Sequence, residues 1–107
     1  LQEANGLFHT LLDDPATYLE MSATAALGYA ALRGVRLGIL EPGFRALGEK
    51  AAAAALTHIQ PGGVVAHVSS GTGGFIAYEE YNRIPIAPRW YGQALTLLLL
   101  GEALSEA

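Results

Sequence analysis

Cysteine is absent. Its absence excludes a disulfide scaffold, a thiolate metal site and a cysteine nucleophile together. Charge is scarce: 15% of the 107 residues are Asp, Glu, Lys or Arg, ten acidic against six basic, for a net charge of −4. That balance lacks the basic footprint needed to bind nucleic acid or an anionic membrane surface. Long apolar runs are missing too. The longest, residues 94–100, is about a third of a bilayer span. What is present is apolar surface, at 51% of residues, so the chain is far from the disordered class. Its length allows one domain at most, with a modest core. So high an apolar fraction exceeds the needs of so small a body, and the first residue is Leu1, not Met. Both lead us to expect a segment of a larger domain.

Periodicity predicts three helices. Residues 22–38 form the first, with Ser22 as N-cap and Glu20 just outside it. Ala23, Ala25, Ala26, Leu27, Ala30, Ala31 and Leu32 leave almost no polar face, so this helix should be buried all round. Arg33 and Arg36 suit its C-terminal end, and Gly38 stops it. Residues 42–59 form the second, with Pro42 in its first turn. Phe44, Leu47, Ala51, Ala55 and Ile59 make an apolar stripe, while Arg45, Glu49 and Lys50 fall elsewhere. One side of this helix should meet water. Residues 90–105 form the third, whose centre is apolar all round and should also be buried.

The intervening segments read as extended or turned. Residues 7–12 and 64–69 are strand-like. Asp13-Asp14-Pro15 and Pro61-Gly62-Gly63 are turns. Residues 70–74 are a flexible loop, 75–81 are ambiguous, and 84–88, with two prolines, must be extended. A glycine followed by a short apolar strand occurs twice, at Gly6 and at Gly63, 57 residues apart. The order buried, exposed, buried is that of inner and outer helices in stacked hairpins, in a solenoid or a closed toroid. The expected fold class is all-α, inner–outer–inner, with short strand-like connections. Two and a half such units cannot close a ring, which again points to a segment.

No strong catalytic motif is present. Gly71-Thr72-Gly73-Gly74 lacks the lysine and the strand-to-helix setting of a phosphate loop. His9, His58 and His67 lack metal-ligand spacing; His9 and His67, each in a predicted strand, would line one rim. Asp13 and Asp14 precede a proline and read as turn formers. Glu20 has two readings. It is either a carboxylate satisfied by helix-end amides or, beside Ser22 and Thr24, a group at the mouth of a central cavity. Tyr78, Tyr81, Arg83, Trp90 and Tyr91 are the one aromatic and basic cluster. They suit a sugar ring carrying a carboxylate, or equally the packing of a loop against the last helix.

Several segments carry a family resemblance. Tyr18-Leu19-Glu20-Met21-Ser22-Ala23-Thr24-Ala25, followed by Tyr29-Ala30-Ala31-Leu32-Arg33-Gly34-Val35-Arg36-Leu37-Gly38, resembles the unsaturated rhamnogalacturonyl hydrolases. These form glycoside hydrolase family 105, related to the unsaturated glucuronyl hydrolases of family 88. Gly6-Leu7-Phe8-His9 is similar to the strand that precedes this helix. Gly71-Thr72-Gly73, Tyr81-Asn82-Arg83-Ile84-Pro85-Ile86 and Tyr91-Gly92-Gln93-Ala94-Leu95 are similar to the C-terminal loop and last inner helix. The resemblance covers nearly the whole chain and about the C-terminal third of the family. Phe8 stands where a tryptophan is expected, and Met21 where a small or hydroxyl residue is usual.

The resemblance implies an (α/α)6 toroid of six inner and six outer helices, with residues 1–107 as its C-terminal part. It implies removal of a 4,5-unsaturated uronic acid from a pectin-derived oligosaccharide. A carboxyl acid protonates the enol ether, water adds to the cation, and the hemiketal rearranges to release the sugar. This differs from two-carboxylate displacement. No metal or organic cofactor is implied. The family's catalytic aspartates lie upstream, so no catalytic residue is placed here, and the isolated chain should be inactive. Glu20, Tyr81, Arg83 and Trp90 are the candidate substrate-binding residues. The expected partners are the oligosaccharide and, across exposed apolar helix faces, another copy or the missing N-terminal part. The family's role in finishing imported oligosaccharides implies a cytoplasmic location. Two other readings stand beside this one: a non-enzymatic helical-repeat binding module, and an α/α-toroid enzyme of different sugar chemistry, such as an epimerase.

Overall fold

The computed structural model describes residues 1–105. Helix α1 spans Met21–Arg36. Its N-cap is Glu20, not the expected Ser22, because the longer carboxylate reaches back to accept from the Ser22 and Ala23 amides. Ser22 lies inside the helix and donates its own hydroxyl to Glu20 at 2.7 Å. The C-terminal end is as expected. Gly38 takes φ +72, its amide donates to Val35, and the Ile39 amide donates to Gly34. This pair of backward bonds closes the helix.

Helix α2 spans Arg45–Thr57, preceded by a 3-10 turn over Pro42–Phe44. The turn has a different period from the α-helix, so Phe44 leaves the predicted stripe and is 45% exposed. The buried seam is Gly48, Ala51, Ala54 and Ala55. Helix α3 spans Trp90–Ser105, as predicted.

The expected strands are much shorter. Strand β1 is Phe8–His9 and pairs antiparallel with β2, Leu19–Glu20, placing Phe8 opposite Glu20. The predicted strand over 64–69 is reduced to single bridges, Ile59 with Val65 and Ser69 with Ile86. The cause is His67, which takes φ +66 and breaks the extended run. Residues Tyr78–Arg83 form a 3-10 helix.

Gly6 and Gly63 mark a true structural repeat. The Gly6 amide donates to Glu3 and the Glu3 amide to Leu7. The Gly63 amide donates to Gln60 and the Gln60 amide to Val64. Two residues beyond each glycine, the strand amide is received by a helix side chain. Phe8 N donates to Thr24 Oγ1 at 2.9 Å, and Val65 N to Gln93 Oε1 at 3.0 Å. Thr24 and Gln93 are each the fourth residue of their helix.

Helix α1 lies between α2 and α3. Gly28 is the crossing point: a Cβ there would lie 2.5 Å from Ala51 Cβ and 3.0 Å from Leu99 Cδ1. Gly48 of α2 faces Leu32, so α2 runs antiparallel to α1. Glu102 of α3 pairs with Arg33 and Arg36, so α3 runs parallel to it. The core joins Leu7, Met21, Leu32, Ala51, Val65, Val68 and Leu99. Neither inner helix is buried all round within these residues. Leu27 and Ala30 of α1 are exposed. On α3 an apolar stripe of Trp90, Ala94, Leu97, Leu98, Gly101 and Leu104 faces outward. The reason is how the helices pack: α1 packs broadly against both α2 and α3, whereas α3 packs broadly against α1 and only slightly against α2.

Candidate functional site

The open ends of the repeat meet at the N-terminus of α1. Glu20, 3% exposed, sits where β2 turns into that helix. Its carboxylate accepts from Ser22 N at 3.0 Å, Ser22 Oγ at 2.7 Å, Ser69 N at 3.2 Å, and from Ala23 N. Three of these donors meet Oε2 and one meets Oε1, so of the carboxylate's four or so acceptor directions the protein itself crowds those of Oε2. Ser69 is held on every side. Its carbonyl accepts from the Tyr91 hydroxyl, and its Oγ lies 2.8 Å from Tyr18 OH. Two residues earlier, the His67 carbonyl accepts from Met21 N at 2.8 Å.

These contacts floor a cleft of about 350 Å³, walled by Thr10, Glu20, Ser22, Gly71, Thr72 and Tyr91. Hydroxyls dominate its lining, which suits a polyhydroxylated ligand. A second cleft of about 300 Å³ adjoins it across Gly71 and is lined by Phe75, Glu80, Arg83 and Pro85. Arg83 also borders a third, of about 330 Å³, with Asp14, Thr17, Tyr78 and Asn82. Arg83 is exposed on the ridge between these two.

The four residues singled out from sequence therefore fall in different places. Glu20 lines the hydroxyl cleft. Arg83 stands on the neighbouring ridge, two residues after Tyr81. The Tyr81 ring meets Phe75 edge-on with centroids 5.0 Å apart. Trp90 is 80% exposed at the start of α3 and meets Tyr91 edge-on at 5.5 Å. It is Tyr91 that lines the Glu20 cleft. The hydroxyls of Thr10, Ser69 and Thr72 were not foreseen. No spacing or charge marks them; only the glycine-rich 70–74 stretch signalled a loop here.

The remaining polar groups have local work. Tyr78 OH donates to Asp13 Oδ1 at 3.1 Å, and that bond raises the Tyr78 pKa above its ordinary value. Asp14 Oδ1 accepts from the Ala16 amide at 3.0 Å, a side-chain turn. His9 is buried, with Nδ1 2.6 Å from the Thr17 carbonyl and Nε2 3.1 Å from Glu3. His67 lies with its ring 5.8 Å from His58. At the far end of α1, Arg36 pairs with Glu102 and, with Arg33, holds that carboxyl below the usual range. Among the described residues there is no group of three or more His, Asp or Glu fit to hold a metal. Among the same residues, no helix is long and apolar enough to cross a membrane.

Comparison with known proteins agrees with this geometry. The chain is 35% identical over 105 residues to the unsaturated rhamnogalacturonyl hydrolase YesR of Bacillus subtilis, covering 97% of this chain and 29% of that protein. It superposes with TM-score 0.95 on a crystal structure described as a possible member of the GH105 family from Salmonella enterica. That pair is 42% identical, with 98% of this chain and 28% of the other covered. A possible GH105 member from Klebsiella pneumoniae gives TM-score 0.95 at 40% identity, with 98% and 28% covered. The chain thus spans less than a third of the length of these relatives. The profile of Glycosyl Hydrolase Family 88 matches residues 1–106, across all three helices and every loop of the clefts. On that match, the chain belongs to Glycosyl Hydrolase Family 88.

Proposed function

We propose that this chain is the C-terminal segment of an (α/α)6 toroid that removes a 4,5-unsaturated uronic acid from pectin-derived oligosaccharides. The observation that carries the reading is the likeness to an unsaturated rhamnogalacturonyl hydrolase along 97% of the chain. The hydroxyl-lined cleft beside Arg83 supports it. A neutral sugar suits Thr10, Thr72 and Tyr91, and a uronate carboxylate suits an exposed guanidinium. In this reading Tyr81, edge-on to Phe75, backs the Arg83 ridge, while Trp90 stands apart from the clefts at the start of α3. The acid that protonates the enol ether, with water then adding to the cation, comes from outside these residues. The isolated chain is therefore inactive. The same reading puts the enzyme in the cytoplasm, finishing oligosaccharides that have already been imported.

The repeat supports the segment reading. Thr24 and Gln93 are equivalent, so Gly28 and Leu32 of α1 correspond to Leu97 and Gly101 of α3. Helix α2 covers the first pair, and the second pair is exposed. The rest of the same polypeptide supplies the missing cover: a helix lined by small residues, seated on α3 as α2 is on α1.

The test follows loss of the conjugated acid's ultraviolet absorbance. The intact enzyme should consume an unsaturated disaccharide, and the 107-residue chain should not. Arg83→Ala in the intact enzyme should lower kcat/KM by about tenfold or more, the scale of one charge-assisted hydrogen bond. Activity of the isolated chain, or unchanged kinetics in Arg83→Ala, would contradict the reading.

A further inference from the structure

Glu20 carries more than a helix cap requires. Capping α1 needs the Ser22 and Ala23 amides alone. The bond from Ser69 N spans 49 residues of sequence and does nothing for the cap. It does fix the start of the 70–74 loop. Ser69 is further held by Tyr18 and Tyr91, and on the other side the Ser70 amide donates to Pro85 at 2.9 Å. From this anchored point the chain turns through Gly71, at φ +89, and presents Gly71 and Thr72 to the cleft.

The chemistry of the anchor explains the residue type. Four donors converge on one side chain, and only an ionised carboxylate is acceptor at every position. A glutamine would set its amide N–H₂ against a backbone N–H. An aspartate would still cap α1, since Asp is among the best N-caps. It is one methylene shorter and would not also reach Ser69. Glu20 is 3% exposed and its Oε2 already takes three donors, which leaves a sugar hydroxyl little access to it.

We propose that Glu20 is a positioning residue, which sets the 70–74 loop over the N-terminus of α1 so that the loop meets the substrate, without itself touching the sugar. The effect on kinetics rests on the functional reading above; the clamp itself does not.

The deciding variant is Glu20→Asp in the intact enzyme. Thermal stability should change little, because the cap survives. KM should rise about tenfold while kcat stays within about threefold, since the loop contacts the bound sugar and not the reacting atoms. A fall in kcat at constant KM would overturn the proposal, as would unchanged kinetics in an active enzyme. Amide hydrogen exchange provides the second readout. In the wild type the Ser69 and Ser70 amides should be protected. In Glu20→Asp they should exchange faster, with residues 24–32 of α1 unaffected. Unchanged protection at Ser69 would also overturn it. If the wild-type enzyme consumes no unsaturated uronide but Ser69 loses protection in the variant, the functional reading fails and the clamp stands.

Discussion

Helices α1 and α3 start alike and end in different surroundings. Each follows a glycine turn, and each receives a strand amide with the side chain of its fourth residue. Helix α1 is then flanked on both sides, and Gly28 lets Ala51 and Leu99 approach within a methyl's breadth. Helix α3 has the same apolar character but packs broadly only against α1, so Leu97 is 66% exposed. Helix α2 makes the contrast sharper. Its outward face carries Arg45, Glu49 and Lys50, as a face meant for water does. The outward stripe of α3 carries no charge. An apolar face of this kind marks an interaction surface. Composition alone leaves the place of the proposed neighbour open; the repeat points to the outward stripe of α3.

The contrast can be broken most severely at Gly28. Gly28→Val in the intact enzyme puts a branched side chain where even a Cβ would lie 2.5 Å from Ala51. Overpacking at such a site costs about 3 kcal/mol, and a denaturant melt should show that loss. A smaller effect is expected from Glu102→Gln, which weakens the tie between the C-terminal ends of α1 and α3. The Glu102 pKa is depressed, chiefly by its hydrogen bond with Arg36. Its contribution is therefore present above the ordinary glutamate range and is lost as pH falls through the lower folded value. Melting temperature followed with pH should lose that acid-side slope in the variant. The smallest effect concerns two threonines. Thr24 of α1 uses its hydroxyl fully, donating to the Glu20 carbonyl and accepting from Phe8 N. Thr96 of α3 is buried, and its Oγ1 has no partner among the described residues. Removing an unpaired buried hydroxyl is neutral or favourable. Thr96→Val should leave stability unchanged or raise it by about 1 kcal/mol, read by the same melt.

The helices were largely legible in the sequence. Pro85 and Pro88 exclude helix, so α3 had to begin near Trp90. Gly38 marked the end of α1 through its positive φ. The start of α1 is not legible, because a serine is the commoner cap, whereas here a buried glutamate does that work. The break in the 64–69 strand is not legible, because nothing in the alternation announces a positive φ at His67. The cleft was legible only in part. Glu20 and Arg83 stood out by charge, but their separation across Gly71 depends on tertiary placement. Thr10, Ser69 and Thr72 come together from distant segments and leave no local pattern.

In the proposed toroid, the outward stripe of α3 is covered in the intact enzyme while that of α2 is not. Hydroxyl-radical footprinting of the intact enzyme tests it, comparing Leu97, Leu98 and Leu104 on α3 with Leu56 on α2, all exposed in this chain. Oxidation is expected at Leu56, with protection at the three α3 leucines. Equal labelling of both helices would contradict that expectation.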